Sequence, residues 1–175
     1  MAMGMEARQR KFFPLGRSFA RFCRKMPLSV RHDSLTVNPM SAGQKPKKIL
    51  VVDDNEIVLK TISLKLQGSG YQVMTAMDGS EAVSAVRKEI PDLILMDLTF
   101  PPDTEGVPWD GFRVIDWFHR LDEVKRVPVI VITGSDDPAA KQQSTTRGAV
   151  AFFQKPLEHD YLLKVIRATL GDTVQ

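Results

Sequence analysis

From Lys47 onward the chain alternates between short apolar runs and segments in which apolar residues recur every three or four positions. The apolar runs have the length of strands, and the periodic segments have the spacing of amphipathic helices. Five strands are predicted, over residues 49–52, 71–76, 92–97, 127–133 and 149–153, and five helices follow them, over residues 57–66, 80–88, 111–121, 136–147 and 158–170. This regular alternation predicts a doubly wound α/β fold, with a five-stranded parallel sheet and helices on both faces.

The third predicted strand, with sequence DLILMD, is apolar between two aspartates and therefore predicts a strand buried on both faces. Its last residue, Asp97, would lie at the carboxyl end of the strand, where open α/β sheets bind their ligands. Polar residues also stand at the ends of three other strands: Asp53 and Asp54 after the first, Thr133 at the fourth and Lys155 just past the fifth. These strand ends can converge on one crevice.

Three carboxylates in one crevice repel one another, and without a partner at least one of them would take up a proton. A hard divalent cation removes this repulsion, and so does a cationic side chain. Mg²⁺ fits the first requirement, because it binds a few carboxylates together with waters and phosphate oxygens. Lys155 fits the second. The scattered His32, His119 and His159 have no ligand spacing, so a histidine-based metal site is not expected.

Four motifs stand in order at the predicted strand ends: VVDD (residues 51–54), LILMD (93–97), VIVITG (129–134) and FFQKP (152–156). Each motif alone is weak evidence, but the four together in this order are specific. On these motifs, the chain from Lys47 to about Leu170 resembles the receiver domain of bacterial two-component response regulators. The resemblance implies a flavodoxin-like sheet with strand order 2-1-3-4-5, a receiver domain over residues 46–172, and a single-domain regulator of the chemotaxis type.

The resemblance also implies a role for each residue of the crevice. Asp97 would be the phosphoacceptor, which attacks the phosphohistidine of a partner histidine kinase or histidine phosphotransfer protein. Asp54 and Asp97 would bind Mg²⁺ directly, Asp53 would bind it through a water, and the backbone carbonyl of Thr99 would be a further ligand. Lys155 would pair with Asp97 at rest and with a phosphoryl oxygen afterwards. Such a protein is not an enzyme with a separate substrate, because it catalyses only its own phosphorylation and the hydrolysis that follows.

A conformational switch is implied as well. The Thr133 hydroxyl would move toward the phosphate, and the aromatic ring of Phe152 would turn inward behind it. Gly134 would leave room for the phosphoryl group, and Pro156 would follow a cis peptide bond. The changed surface, made of the fourth helix, the fifth strand and the fifth helix, would then bind a downstream protein target.

One segment departs from the family pattern. Phe100-Pro101 corresponds to the Met-Pro pair of receivers, but the Asp-Gly pair that usually follows almost at once arrives only at Asp110-Gly111. The segment over residues 100–110 is therefore longer than the family pattern by about six residues. A lid, a partner-specific surface and a neutral loop all remain open as interpretations.

The positive charge of the chain belongs to its first part. Residues 1–48 hold eleven Lys/Arg and two Asp/Glu, which gives +9, whereas the remaining residues carry −6. Overall basicity is therefore no argument for nucleic-acid binding. We interpret residues 1–45 as a disordered basic extension, or as sequence upstream of a translation start at Met40. The alternative is a basic amphipathic segment for a membrane surface or an acidic partner, with the apolar positions Phe12, Leu15, Phe19, Phe22 and Met26.

Several classes of function are disfavoured. No apolar run approaches the ~18 residues of a membrane span, and the single cysteine, Cys23, excludes an intramolecular disulfide, so the cytoplasm is the simplest setting. No helix-turn-helix and no basic recognition helix follow the last predicted helix, so direct DNA binding is not expected. A flavin- or nucleotide-binding protein of the same topology needs backbone amides or a glycine-rich turn after the first strand to hold phosphate. Here that turn reads DDNE, which repels phosphate unless a cation intervenes.

Two interpretations compete with phosphorylation and stay open at this stage. The protein could be an interaction module that keeps the fold but works without phosphorylation. The individual residues also have ordinary structural roles, since Asp53 and Asp54 are typical of helix N-termini, Asp92 is typical of a strand start, and Thr133 is an ordinary strand residue.

Overall fold

The computed structural model describes residues 45–100, 110–135 and 137–171. Five parallel strands form one sheet in the order β2-β1-β3-β4-β5, which confirms the predicted fold and strand order. The strands are β1 (Lys48–Val52), β2 (Gln72–Ala76), β3 (Leu93–Asp97), β4 (Val129–Thr133) and β5 (Ala151–Gln154). The helices are α1 (Glu56–Gly68), α2 (Gly79–Lys88), α3 (Gly111–Phe118), α4 (Pro138–Thr146) and α5 (His159–Leu170).

The sheet separates two apolar cores. Side chains of β1 alternate between them, because successive residues of a strand point to opposite faces of the sheet. Leu50 and Val52 pack in the core beneath α2, α3 and α4, whereas Ile49 and Val51 pack in the core beneath α1 and α5. All five residues of β3 are buried, so this strand lies in the centre of the sheet, as its unbroken apolar sequence predicts.

Of the five helices within the described residues, four begin with a side-chain cap. Asn55, Asp78, Asp110 and Asp137 precede α1 to α4, and each accepts a hydrogen bond from a backbone N–H of the first turn. The first of these helices is capped by Asn55 rather than by Asp53 or Asp54, the two aspartates that sequence alone allows in that role. The two carboxylates are therefore left for another purpose.

Asp92 joins the starts of two neighbouring strands. Its carboxylate accepts hydrogen bonds from the Lys48 backbone N–H at 2.8 Å and from the Lys47 ammonium at 2.9 Å. The Asp92 N–H in turn donates to the Lys48 carbonyl at 2.8 Å. Asp92 does stand at a strand start, as predicted, but it also fixes the first residues of β1 against β3.

The element bounds differ from the predicted ones by a few residues. The largest difference is at α3, which ends at Phe118 instead of residue 121, because Arg120 and Leu121 form tight turns with the residues three positions earlier.

Two apolar residues of α1, Ile57 and Leu64, are 76% and 62% exposed. No helix within the described residues is both long enough and apolar enough to span a bilayer. The predicted extension, apart from Lys45, and residues 101–109 of the long segment lie outside the described residues.

Candidate functional site

Adjacent strand ends bring the three predicted carboxylates together. Asp97 is the last residue of β3, and Asp53 directly follows β1, whose Val52 pairs with Met96. One carboxylate oxygen from each of Asp53, Asp54 and Asp97 lies within 4.8 Å of the other two. We call these three residues the acidic cluster. Asp53 and Asp97 are buried, with 2% and 4% of their surface exposed, whereas Asp54 is open to solvent.

The ammonium group of Lys155 binds two members of the acidic cluster at once. Its Nζ lies 2.6 Å from Asp53 Oδ2 and 2.6 Å from Asp97 Oδ2. The backbone N–H of Lys155 donates to the Thr133 carbonyl at 2.8 Å, so the residue is fixed to the end of β4 as well. The structure thus brings together residues that stand 58 and 102 positions apart in the chain.

The second oxygen of each buried carboxylate is held by the backbone. Asp97 Oδ1 accepts hydrogen bonds from the Leu98 N–H at 2.6 Å and the Thr99 N–H at 3.2 Å. Asp53 Oδ1 accepts one from the Asn55 N–H at 3.0 Å. Both carboxylates are therefore oriented from two sides, by the loop that follows their own strand and by Lys155.

Burial and charge act in opposite directions on the two central groups. Burial raises the pKa of Asp97, and the hydrogen bond and positive charge of Lys155 offset this only in part, so the net shift is upward. Burial lowers the pKa of Lys155, but its hydrogen bonds and charge interactions with Asp53 and Asp97 outweigh burial, so its pKa is raised. The lysine therefore stays protonated at neutral pH.

The donor set of the acidic cluster fits a hard divalent cation. Three ionised carboxylates and one ammonium leave two negative charges, which is the charge that a divalent cation neutralises. All three side chains offer oxygen, and the exposed position of Asp54 leaves room for the waters that Mg²⁺ retains. Thr99 is exposed and its N–H is turned toward Asp97; its carbonyl as a metal ligand stays a prediction.

The two predicted switch residues lie on neighbouring strands. Thr133 ends β4 one residue beyond Ile132, which pairs with Asp97, and it is fully buried. Its hydroxyl oxygen accepts a hydrogen bond from the Ser135 N–H at 3.2 Å. Phe152 on β5 is half-buried and packs against the core beneath α2, α3 and α4. The Lys155–Pro156 peptide bond is cis, as predicted.

Gly111 also belongs to this region, although nothing in its chemistry singles it out in the sequence. It lies against the backbone of Asp97, and its N–H donates to the Leu98 carbonyl at 3.0 Å. The only sequence signal for it is the Asp-Gly pair at residues 110–111, which stands late after β3.

Known proteins share this fold and sequence pattern. Residues 49–167 match the family profile of the response regulator receiver domain. The polar-differentiation response regulator DivK of Brucella anthropi is 31% identical over 127 residues, which are 73% of this chain and 98% of DivK. Chemotaxis protein CheY4 of Vibrio cholerae is 30% identical, with a TM-score of 0.65 over 71% of this chain and 99% of CheY4. The receiver domain of sensor histidine kinase PA1611 from Pseudomonas aeruginosa, solved with a magnesium ion coordinated in its active site cleft, is 25% identical, with a TM-score of 0.64 over 73% of this chain and 100% of that domain.

The family profile covers most of the chain, and the chain spans nearly the whole of DivK. The chain therefore belongs to the response regulator receiver family. The process to which this family belongs is two-component signal transduction, in agreement with the resemblance drawn from the four motifs.

Proposed function

We propose that this protein is a response regulator that accepts a phosphoryl group on Asp97 from a phosphohistidine and signals by protein contact. The observation that carries the proposal is the position of the Lys155 ammonium, 2.6 Å from both Asp53 and Asp97, beside a third carboxylate. A structural ion pair needs one acid, whereas phosphoryl transfer needs a nucleophile, a metal site and a cation at one point.

In the transfer step, an oxygen of the Asp97 carboxylate attacks the phosphorus atom of the donor. A new O–P bond forms, the N–P bond to the histidine breaks, and the imidazole leaves and takes up a proton. Burial raises the pKa of Asp97, and the Lys155 ammonium opposes this shift and orients the carboxylate for attack. Lys155 is released from Asp97 as the carboxylate becomes an acyl phosphate, and it then pairs with a phosphoryl oxygen.

Mg²⁺ is the cofactor that the acidic cluster would hold. Asp54 and Asp97 would bind the ion directly, Asp53 through a water, and the Thr99 carbonyl would complete the protein ligands. When bound, the ion neutralises negative charge on the transferring phosphoryl oxygens. The magnesium ion in the related PA1611 receiver domain supports this assignment.

The signal would leave the site through Thr133 and Phe152. The Thr133 hydroxyl oxygen accepts a hydrogen bond from the Ser135 N–H, and its O–H would donate a charge-assisted hydrogen bond to a phosphoryl oxygen. Phe152 is half-buried on β5, and its ring would turn inward behind Thr133. A histidine kinase or a histidine phosphotransfer protein would supply the phosphate, and a downstream protein would bind the altered α4–β5–α5 surface.

The decisive experiment is phosphorylation of the full chain with acetyl phosphate and Mg²⁺, followed by a phosphate-affinity gel. We expect a shifted band for the wild type and for Asp122→Asn, an exposed aspartate in the turn after α3. Asp97→Asn should give no shifted band. A wild type without a shift would favour an interaction module that works without phosphorylation.

A further inference from the structure

Gly111 approaches Asp97 more closely than any residue with a side chain could. A Cβ atom at this position would lie 2.2 Å from the Asp97 carbonyl oxygen, 2.7 Å from the Leu98 Cα and 3.0 Å from the Asp97 carbonyl carbon. All three of these atoms belong to the backbone, so no flexible side chain could yield. The reason for glycine here is close approach to the backbone.

Helix α3, which begins at Gly111, cannot move away from Asp97 without loss of core packing. Gly111 is the first residue of α3, and Val114, Ile115 and Phe118 of that helix are at most 1% exposed in the core. The Asp110 carboxylate caps the same turn by accepting from the Arg113 N–H at 2.8 Å. Displacement of the helix would open a cavity beneath these side chains, which close-packed interiors tolerate poorly.

The strain of an added Cβ would therefore fall on the residues that follow β3. Leu98 and Thr99 hold Asp97 Oδ1 through their N–H groups, at 2.6 Å and 3.2 Å. Their displacement would turn the carboxylate while Lys155 still holds its other oxygen. This is a direct path from residue 111 to the orientation of the acceptor.

We infer that Gly111 is a positioning residue for the phosphoacceptor, which keeps the Asp97 carboxylate in the orientation that metal binding and phosphoryl transfer require. The inference rests on the proposed function and adds a residue to it. It also explains how the acceptor keeps its geometry although the chain between Phe100 and Asp110 is long: Gly111 and Leu98 close the segment at its base, with a hydrogen bond of 3.0 Å.

The test compares Gly111→Ala with two matched controls. Gly68→Ala adds the same atom where nothing lies within 4 Å, and Val114→Ala weakens the packing of α3 without adding an atom near Asp97. Three quantities are measured on full-length protein that circular dichroism shows to be folded. They are the amide NMR shifts of Leu98 and Thr99 without metal, the Mg²⁺ affinity by calorimetry, and the rate of phosphorylation by acetyl phosphate.

We expect Gly111→Ala to shift both amide signals, and to weaken Mg²⁺ binding by about 10- to 100-fold, the usual effect of losing an outer partner of a metal ligand. The phosphorylation rate should fall with it, while both controls keep the wild-type affinity. Wild-type Mg²⁺ affinity in Gly111→Ala, or an equal loss in Val114→Ala, would overturn the inference.

An unfolded variant and an inactive wild type also have defined meanings for the inference. If Gly111→Ala does not fold in dilute buffer, the measurements are repeated in an osmolyte that favours the compact state. Failure to fold there as well would make Gly111 a structural residue and refute a positioning role. If the wild type itself neither binds Mg²⁺ nor takes up phosphate, the proposed function fails, irrespective of Gly111.

Discussion

The Lys155 ammonium and the Asp97 carboxylate lie 2.6 Å apart, although 58 residues separate them in the chain. The same ammonium lies 2.6 Å from Asp53, so one positive charge serves two buried carboxylates. Without it, two negative charges would face each other in a region of low dielectric. The lysine is thus the group that faces the negative charge of both aspartates in the absence of metal and phosphate.

Lys155→Met should raise the pKa of Asp97 further above its ordinary value. Burial already raises this pKa, and the hydrogen bond and charge of Lys155 are the two largest influences that lower it. Their removal leaves burial and the nearby Asp53 charge, which act upward, opposed by the hydrogen bond from the Thr99 N–H. The measurement is a ¹³C NMR titration of the Asp97 carboxyl carbon in metal-free protein. Lys125→Met removes an exposed ion pair with Asp122 and should leave the midpoint unchanged; an unchanged midpoint in Lys155→Met would contradict the prediction.

Asp54→Ala should weaken Mg²⁺ binding without harming the fold. Its carboxylate belongs to the acidic cluster but is exposed, so its loss leaves no buried group unpaired. We expect the affinity to fall by more than about tenfold, since loss of an outer hydrogen-bond partner of a metal ligand already costs that much. The free energy of unfolding should change by less than about 0.5 kcal/mol, the usual range for exposed positions.

Glu56→Ala is the matched control for this measurement. Glu56 is an exposed acid two residues further along, in the first turn of α1, and it lies outside the acidic cluster. Calorimetry should therefore give a Mg²⁺ affinity close to that of the wild type. Equal losses in Asp54→Ala and Glu56→Ala would mean that general negative charge, and not ligation, attracts the cation.

Asp92→Asn should destabilise the fold in a pH-dependent way. Partial burial alone would raise the pKa of Asp92, but the hydrogen bonds from the Lys48 N–H and the Lys47 ammonium outweigh it, so the pKa lies below its ordinary value of 3.8. A lowered carboxyl pKa adds stability that is present above the unfolded-state value and is lost as the pH falls through the folded-state value. At neutral pH the substitution should lower the free energy of unfolding by about 1 kcal/mol. This is the contribution of hydrogen bonds to a charged group, reduced because Asp92 is partly exposed.

Urea unfolding at several pH values checks this prediction. The difference between the wild type and Asp92→Asn should shrink as the pH falls below the ordinary carboxyl pKa. Asp122→Asn is the control, because its carboxylate is 88% exposed and its ion pair with Lys125 should contribute little. A difference that is independent of pH would show that the Asp92 charge does not act through the folded state.

Arg147→Ala should loosen α4. This helix buries only Ala140 and Ser144, so it has little apolar anchorage. Arg147, at its C-terminal end, donates to the Asp116 carboxylate at 2.9 Å and lies over the Phe112 ring at 4.7 Å from the centroid. We expect a loss of about 0.5–1.5 kcal/mol in unfolding free energy, the range for a half-buried ion pair with a cation–π contact.

Amide hydrogen exchange locates the effect of that substitution. Exchange should accelerate in α4 and remain slow in β3, because the Asp116 and Phe112 contacts of Arg147 join α4 to α3. A double-mutant cycle with Asp116→Ala separates the ion pair from the ring contact. Equal acceleration throughout the sheet would indicate global destabilisation and would refute a local tie.

The fold and the place of the acceptor can be predicted from sequence because their signals are local. β3 is apolar at every interior position, so its burial, and with it the position of Asp97 at a strand end, follows from a run of five residues. Lys155 is remote in the chain, yet it follows β5, which is parallel to β3 in the same sheet. The ends of β3 and β5 therefore lie at the same edge of the sheet. Parallel strands that all point the same way bring their final residues together.

Other features depend on contacts that no local pattern reveals. In the run of Asp53, Asp54 and Asn55, all three side chains are good helix caps, and the structure gives the role to Asn55 while Lys155 binds Asp53. Ile57 fits the apolar count of α1 but stands 76% exposed, because the stripe that meets the sheet is complete without it. The contact of Gly111 with Asp97 appears only when α3 is placed against β3.

The backbone hydrogen bond between Leu98 and Gly111 has a practical consequence for protein engineering. The chain leaves the sheet after Asp97 and is back beside it at Gly111, where the Gly111 N–H donates to the Leu98 carbonyl. We expect this hydrogen bond to hold the strand end and α3 together when the sequence between residues 100 and 110 is exchanged for a foreign peptide. An epitope or dye-labelling tag grafted between residues 100 and 110 would therefore be a reporter a few residues from the acceptor, carried by an unaltered scaffold.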